Sequence, residues 1–230
     1  MHKLNLLAIF KTLILILTVY LLVLIPPGLI FKYICLPLFT KGILHFLVGL
    51  FFFLVDFWVL MLTAIVFPGL FWRILSLKYS GVVPLDLSNR NMRNWLLSQI
   101  LYLPTAVILD FFHLYPLKTL HVQFFGGKVG KNVVMGGLVL DPSLFEVGDN
   151  TVIGGFSSIL GHSVERGKII FRKVYIGINC GVGVRATILA GTRLEDNSIV
   201  GAHSLSIKNS RIPANKTYGG VPARNLDKKA

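Results

Sequence analysis

The residues of this 230-residue chain with most chemistry to offer are six histidines, ten carboxylates and two cysteines, and their positions sort them. His162 stands at the root of Ser163 to Val174, a stretch where a regular repeat is interrupted. Imidazole titrates near neutrality, so a histidine at the foot of a loop can act as a general base; otherwise it is an inert turn residue. Glu165, three residues on, either orients that ring, binds an acceptor or is an exposed acid in a basic loop. His203 falls where side chains tend outward. His2 and His45 lie in the apolar first half and His113 and His121 at its boundary, and none makes the close pair that a metal site needs. Cys35 and Cys180 are far apart with no CxxC, so neither a disulfide framework nor a cysteine zinc site is predicted. Cys180 reads as a small packing residue.

The elements that position these groups fall into two regimes. The chain is 54% hydrophobic and 14% charged, with a net charge of +13, which excludes charge-driven disorder and invites an anionic partner: a membrane surface, a phosphate-bearing cofactor or nucleic acid. The first 117 residues hold eight of the 23 Lys and Arg and three of the ten acids. Thr12 to Phe31 is uncharged over 20 residues, enough for about 30 Å of hydrocarbon, and Pro26-Pro27 is expected to end that helix. The run has no small-x-small site after it and is read as a span, not a cleaved signal. Gly42 to Trp72 carries one charge, Asp56, in 31 residues and is read as one long or tilted helix ending near Pro68. Asp56 then sits near mid-depth, either satisfied by a neighbouring helix or water, or functional. Asn94 to Leu117, with its aromatics, Lys118 beside it, and His113, is expected to lie at the membrane interface. Lys3, Lys11, Arg73, Lys78, Arg90 and Arg93 outnumber Lys32 and Lys41 in the loop between the spans, which predicts both termini in the cytoplasm.

From Val129 the sequence keeps a ruler of six: VGKNVV, MGGLVL, DPSLFE, VGDNTV, IGGFSS, ILGHSV, then, after a break, IGINCG, VGVRAT, ILAGTR, LEDNSI, VGAHSL. The first place is aliphatic in ten of eleven blocks, Asp141 being the exception, and glycine follows in seven. Fifth places from Thr151 to Ser204 are small. A period of six is neither the 3.6 of a helix nor the 2 of a flat strand. It suits a parallel β-solenoid whose short strands each turn one aliphatic side chain inward, with stacked coils sharing a core. Ile159 and Ile176 are 17 apart, not a multiple of six, so the segment between them is thrown out of the coil as a loop, where function concentrates.

These blocks resemble the hexapeptide-repeat acyltransferases over about Gly126 to Arg224. The resemblance implies a left-handed parallel β-helix, and eleven hexads give it about four coils; by hydropathy, two transmembrane α-helices (about residues 12–31 and 43–67) and the interfacial segment (94–117) precede it. The domains are then a membrane domain, 1–117, and a β-helix domain with its tail, 118–230. With FGGKVGKNV, LDPSLFEVGDN and GHSVERG, the whole chain also resembles the membrane-bound terminal region of polylysine-synthetase-type nonribosomal peptide synthetases.

By the same resemblance His162 is the catalytic base, taking a proton from an acceptor hydroxyl or amine as it attacks the thioester of acetyl-CoA or another acyl-CoA. In the closing segment GAHSLSIKNSRIPANKTYGGVPAR, the cofactor contacts fall on Ala202, Lys208 and Arg224, and Ile207 stands where some members carry Thr. Lys208, Arg211, Lys216 and Arg224 suit the phosphates of coenzyme A. A homotrimer with sites between subunits is implied as well. The carbonic-anhydrase branch needs three zinc histidines that this spacing does not provide, so no metal is expected. The reading is a membrane-tethered acyltransferase of the inner or plasma membrane, its β-helix cytoplasmic, acting on a membrane-presented acceptor such as a lipid-linked saccharide. The alternative is a non-catalytic or peptide-synthesis-associated module on the same β-helix. Nucleic-acid binding rests on charge alone and is not expected.

Overall fold

Pro27 has no N–H to give the carbonyl of Val23, yet the first apolar helix passes through it. The structure, a computed structural model, describes residues 6–227; His2 and Lys3 lie outside them. Helix α1 (Leu6–Ile30) continues through a π-helical turn, Phe31–Cys35, into the short α2 (Leu36–Phe39), and α3 (Ile43–Ile74) follows. The Val23 carbonyl accepts instead from the Thr63 hydroxyl of α3, at 3.0 Å, which removes the cost of an orphaned carbonyl. The expected stop at Pro26-Pro27 is therefore corrected. Likewise α3 runs past Pro68 to Ile74. Thr12–Phe39 and Ile43–Ile74 are long and apolar enough to cross a membrane, and little of either is buried. Asp56 is buried in α3, and its Oδ1 has no hydrogen-bond partner among the described residues.

The chain divides by internal packing after Ile74, not near residue 117. The reason is α4 (Arg90–Phe111), whose Met92, Leu101, Tyr102, Ala106 and Leu109 are buried within the second unit. Asn89 caps it, its side chain accepting from the N–H groups of Asn91 and Met92. Asn91 and Asn94 bond back to the carbonyls of Ser80 and Lys78. Helix α5 (Tyr115–Phe124) packs on the first strands of the coil, covering an otherwise open edge. One face of α4 stays exposed and apolar, including Val107, Ile108 and Phe111.

Fourteen short strands build three parallel sheets. The first holds β2 (Lys128–Val129), β5 (Phe145–Val147), β10 (Val174–Ile176), β13 (Arg193–Leu194) and β16 (Arg211–Ile212). The second holds β3 (Val134–Met135), β6 (Val152–Ile153), β11 (Gly181–Val182), β14 (Ile199–Val200) and β17 (Thr217–Gly219). The third holds β4 (Leu138–Val139), β7 (Ser158–Ile159), β12 (Thr187–Ile188) and β15 (Leu205–Ser206). Leu194 pairs with Ile212, eighteen positions on, so three hexads make one coil. First-place aliphatics stack in buried columns, such as Val147, Ile176, Leu194 and Ile212, and the small fifth places Thr151, Ser157, Ala186 and Ser198 are buried with them. Cys180 is a buried free thiol among these packing residues. Two sheets have five parallel strands and one has four. The rungs beyond the expected four coils lie in the segment read as a tail, which closes when β18 (Arg224–Asn225) folds back antiparallel on β17.

One corner of the coil is set by a residue type. Asn132, Asn150, Asn179, Asn197 and Asn215 all sit at φ between 53 and 59°, the left-handed region that asparagine tolerates best after glycine. Asn132 donates to Asn150 and Asn179 to Asn197 up the column.

The interruption is a β-hairpin, not a loop. In β8 (His162–Glu165) and β9 (Lys168–Phe171), Glu165 pairs with Lys168, leaving Arg166 and Gly167, both at positive φ, as a two-residue turn. Strand β1 (Gly81–Pro84) adds to β9 and completes a three-stranded antiparallel sheet. Its inner face buries Val83, Ile169 and Phe171 with Tyr79, Met92 and Leu144, and Trp95 and Leu96 of α4 pack on that cluster.

Candidate active site

Asp141 breaks the aliphatic column, and the coil shifts to let it. Val139 pairs with Ile159 and takes the inward place that the ruler assigned to Asp141. The chain then turns through a 3-10 segment, Pro142–Leu144. An ionised carboxylate in an aliphatic column would lack partners. Displaced to the foot of the hairpin, Asp141 is 1% exposed and meets four donors. Its Oδ1 accepts from Trp95 Nε1 at 3.0 Å and Gln99 Nε2 at 3.4 Å. Its Oδ2 accepts from the Gly161 N–H at 2.9 Å and lies 2.6 Å from Nδ1 of His162.

This set of partners fixes the tautomer. The indole, the amide NH2 and the backbone N–H can only donate, so Asp141 is the acceptor throughout, and in the neutral ring Nδ1 of His162 carries the proton. The Gln99 amide is oriented consistently, since its Nε2 also donates to the Leu140 carbonyl at 3.0 Å. Nε2 of His162 then holds the lone pair. The indole of Trp95 meets the imidazole edge-on, with centroids 5.0 Å apart. The His162 side chain is 17% exposed, so it is held but reachable. The arrangement is that of a general base with an orienting carboxylate.

Glu165 lies on the same hairpin but does not hold the His162 ring. Its carboxylate pairs with Lys208 and accepts from the Ser163 hydroxyl at 3.1 Å. The bond from Lys208 and then that from Ser163 hold the Glu165 carboxyl below the usual carboxylate range. Lys208 stands in the turn after β15, and Arg172, at the other foot of the hairpin, donates to Asn209 beside it at 2.7 Å. Ala202 is exposed at a corner of the last coil, next to His203. Arg224 is exposed on β18, where the tail runs along β15: the Leu205 N–H donates to the Gly220 carbonyl and the Ala223 N–H to that of Leu205. The hairpin thus joins Lys208 to Glu165, whereas Ala202 lies in the turn after β14 and Arg224 lies opposite Gly219.

Three residues of the site escaped sequence reasoning. Asp141 left a signal as the only non-aliphatic first place in the ruler. Trp95 and Gln99 left none, being more than forty positions away from it. His121 is not part of the site. It is 1% exposed, stacked on Tyr102, and burial pushes its pKa down to about 3. Lys118, also buried, pairs with Asp110. Among the described residues no group of three His, Cys, Asp or Glu side chains comes together as a metal site.

The chain matches no family model. It is 33% identical over 109 residues to YvoF of Bacillus subtilis, named as an acetyltransferase, covering 46% of this chain and 62% of that protein. It is 32% identical over 93 residues to the galactoside O-acetyltransferase of Escherichia coli, covering 37% and 45%. A mitochondrial gamma carbonic anhydrase 2 of Arabidopsis thaliana is 34% identical over 82 residues, covering 36% and 25%. The chain spans less than two thirds of the length of each of these relatives.

Proposed function

We propose that the chain is a membrane-tethered acyltransferase that moves an acyl group, acetyl first among them, from acyl-CoA to a hydroxyl or amine of a membrane-presented acceptor such as a lipid-linked saccharide. The observation that carries this reading is the bond from Nδ1 of His162 to a buried Asp141. It leaves Nε2 as base and gives the imidazolium a carboxylate partner. Likeness to two proteins named as acetyltransferases supports the reaction class. The carbonic anhydrase likeness covers a smaller share of its relative. A non-catalytic module has no need of a histidine held in one tautomer.

In this mechanism Nε2 takes the acceptor proton as the oxygen or nitrogen attacks the thioester carbonyl. The tetrahedral intermediate collapses by breaking the C–S bond, and the proton on Nε2 passes to the departing thiolate. Lys208 and Arg224 bind donor phosphates, and Ala202 lets the donor approach the coil. Lys208 exchanges Glu165 for phosphate when the donor arrives.

The membrane part rests on α1 and α3, which expose large apolar side chains such as Leu17, Leu24, Phe51 and Leu62; such a surface is stable in lipid. The exposed apolar face of α4 then lies against the headgroup region, with the coil on the cytoplasmic side of an inner or plasma membrane. The outward column Val134, Val152 and Ile199, each close to half exposed, suits association into a homotrimer of left-handed coils. Membranes bearing the chain are incubated with acetyl-labelled acetyl-CoA and extracted with organic solvent. Label in the lipid phase is expected. Label confined to water-soluble products overturns the membrane acceptor, and no transfer to any product overturns the enzyme.

A further inference from the structure

Two side chains of one helix hold the carboxylate that holds His162. Trp95 and Gln99 are four apart on α4 and so share a face. Both donate to the same oxygen of Asp141, Oδ1, leaving Oδ2 for Gly161 and His162. Gln99 also ties itself to the Leu140 carbonyl, which fixes the backbone on which Asp141 stands. Trp95 sits against both ends of the cross-strand pair His162 and Phe171, with centroids 5.0 and 6.0 Å away, and so limits rotation of the imidazole. A carboxylate 1% exposed keeps one rotamer only while its acceptor sites are filled.

We infer that Trp95 and Gln99 are positioning residues, which set the rotamer of Asp141 and through it the Nδ1–H tautomer of His162. The catalytic consequence rests on the acyltransferase reading; the effect on the ring does not. In this arrangement the helix that follows the two apolar spans completes the site, although it belongs to no repeat of the coil.

The test uses the full chain in lipid nanodiscs with 15N-labelled histidine, and His162→Gln assigns the resonance. In the unaltered protein the neutral His162 ring is expected as the Nδ1–H tautomer, with slow exchange of that proton. Trp95→Phe keeps the ring but deletes the donor. It is expected to speed that exchange at least about tenfold and to populate the other tautomer, with kcat falling about tenfold and KM moving less than about twofold. Gln99→Leu is expected to act in the same direction by a smaller factor, and it decides the matter if Trp95→Phe does not fold. Met92→Ala, in the cluster beneath, lowers stability without moving the tautomer. Unchanged tautomer and exchange in both folded variants overturn the inference. A changed tautomer in a protein that transfers no acyl group upholds the inference and removes the acyltransferase reading instead.

Discussion

Nδ1 of His162 lies 2.6 Å from Oδ2 of Asp141, a carboxylate that also accepts from Trp95, Gln99 and Gly161. The shell around Asp141 contains donors only. Asp141→Asn turns an amide NH2 toward two of these donors whichever way it faces, and it removes the negative charge that partners the imidazolium. We expect kcat to fall by about 10²- to 10⁴-fold with KM little changed, and chemical denaturation to report a loss of about 1–3 kcal/mol from the mispaired buried group.

His162 and Glu165 stand three residues apart on one strand but separate cleanly by test. His162→Ala deletes the base and is expected to cost about 10²- to 10⁴-fold in kcat. Glu165→Gln loosens an exposed ion pair to Lys208, and kcat is expected to stay within about threefold. An equal loss in both variants, measured at saturating donor, contradicts the assignment of the base.

Lys208 and Arg224 answer to the donor. Lys208→Ala and Arg224→Ala are each expected to raise KM for acyl-CoA about tenfold, with kcat nearly unchanged, since phosphate contacts are the same in ground and transition states. Initial rates at varied acyl-CoA check this. If Glu165 competes with phosphate for Lys208, Glu165→Gln lowers the same KM.

His121 predicts how the second unit responds to acid. An unfolded histidine takes up a proton near pH 6.5, whereas burial holds the folded one neutral down to about 3. Between these values the unfolded chain binds more protons, so stability falls as pH drops through that window. The thermal midpoint of the unit is expected to decline from pH 7 to pH 5, and His121→Phe, which keeps the stack on Tyr102, is expected to flatten the decline. An identical slope in the variant assigns acid sensitivity elsewhere.

Much of this architecture is legible in the sequence, because a solenoid repeats its own packing rule. The hexads place Ile176, Leu194 and Ala186 correctly, since each rung must bury one aliphatic and one small residue. The hairpin was not legible: KIIF carries three apolar residues in a row, and only in the fold does it alternate, with Ile169 and Phe171 turned inward. The helix stop at Pro27 failed because a hydroxyl forty residues later, on Thr63, answers the freed carbonyl. The boundary near residue 117 failed because composition cannot say against what an apolar helix packs, and α4 meets its core in Leu144, Ile169 and Phe171. The site was half legible. His162 marked itself by its place at the break, and Asp141 by violating the ruler, yet only the folded chain brings Trp95 and Gln99 to it.

The central claim is that His162, oriented by Asp141, transfers an acyl group from acyl-CoA. The most direct measurement is thiol release from acetyl-CoA by the purified full chain in nanodiscs of native lipid, compared with His162→Ala and Asp141→Asn. Steady release that depends on the lipid extract, and falls at least about a hundredfold in both variants, is the expected result. No release by the unaltered chain, or equal release by all three proteins, would contradict the claim.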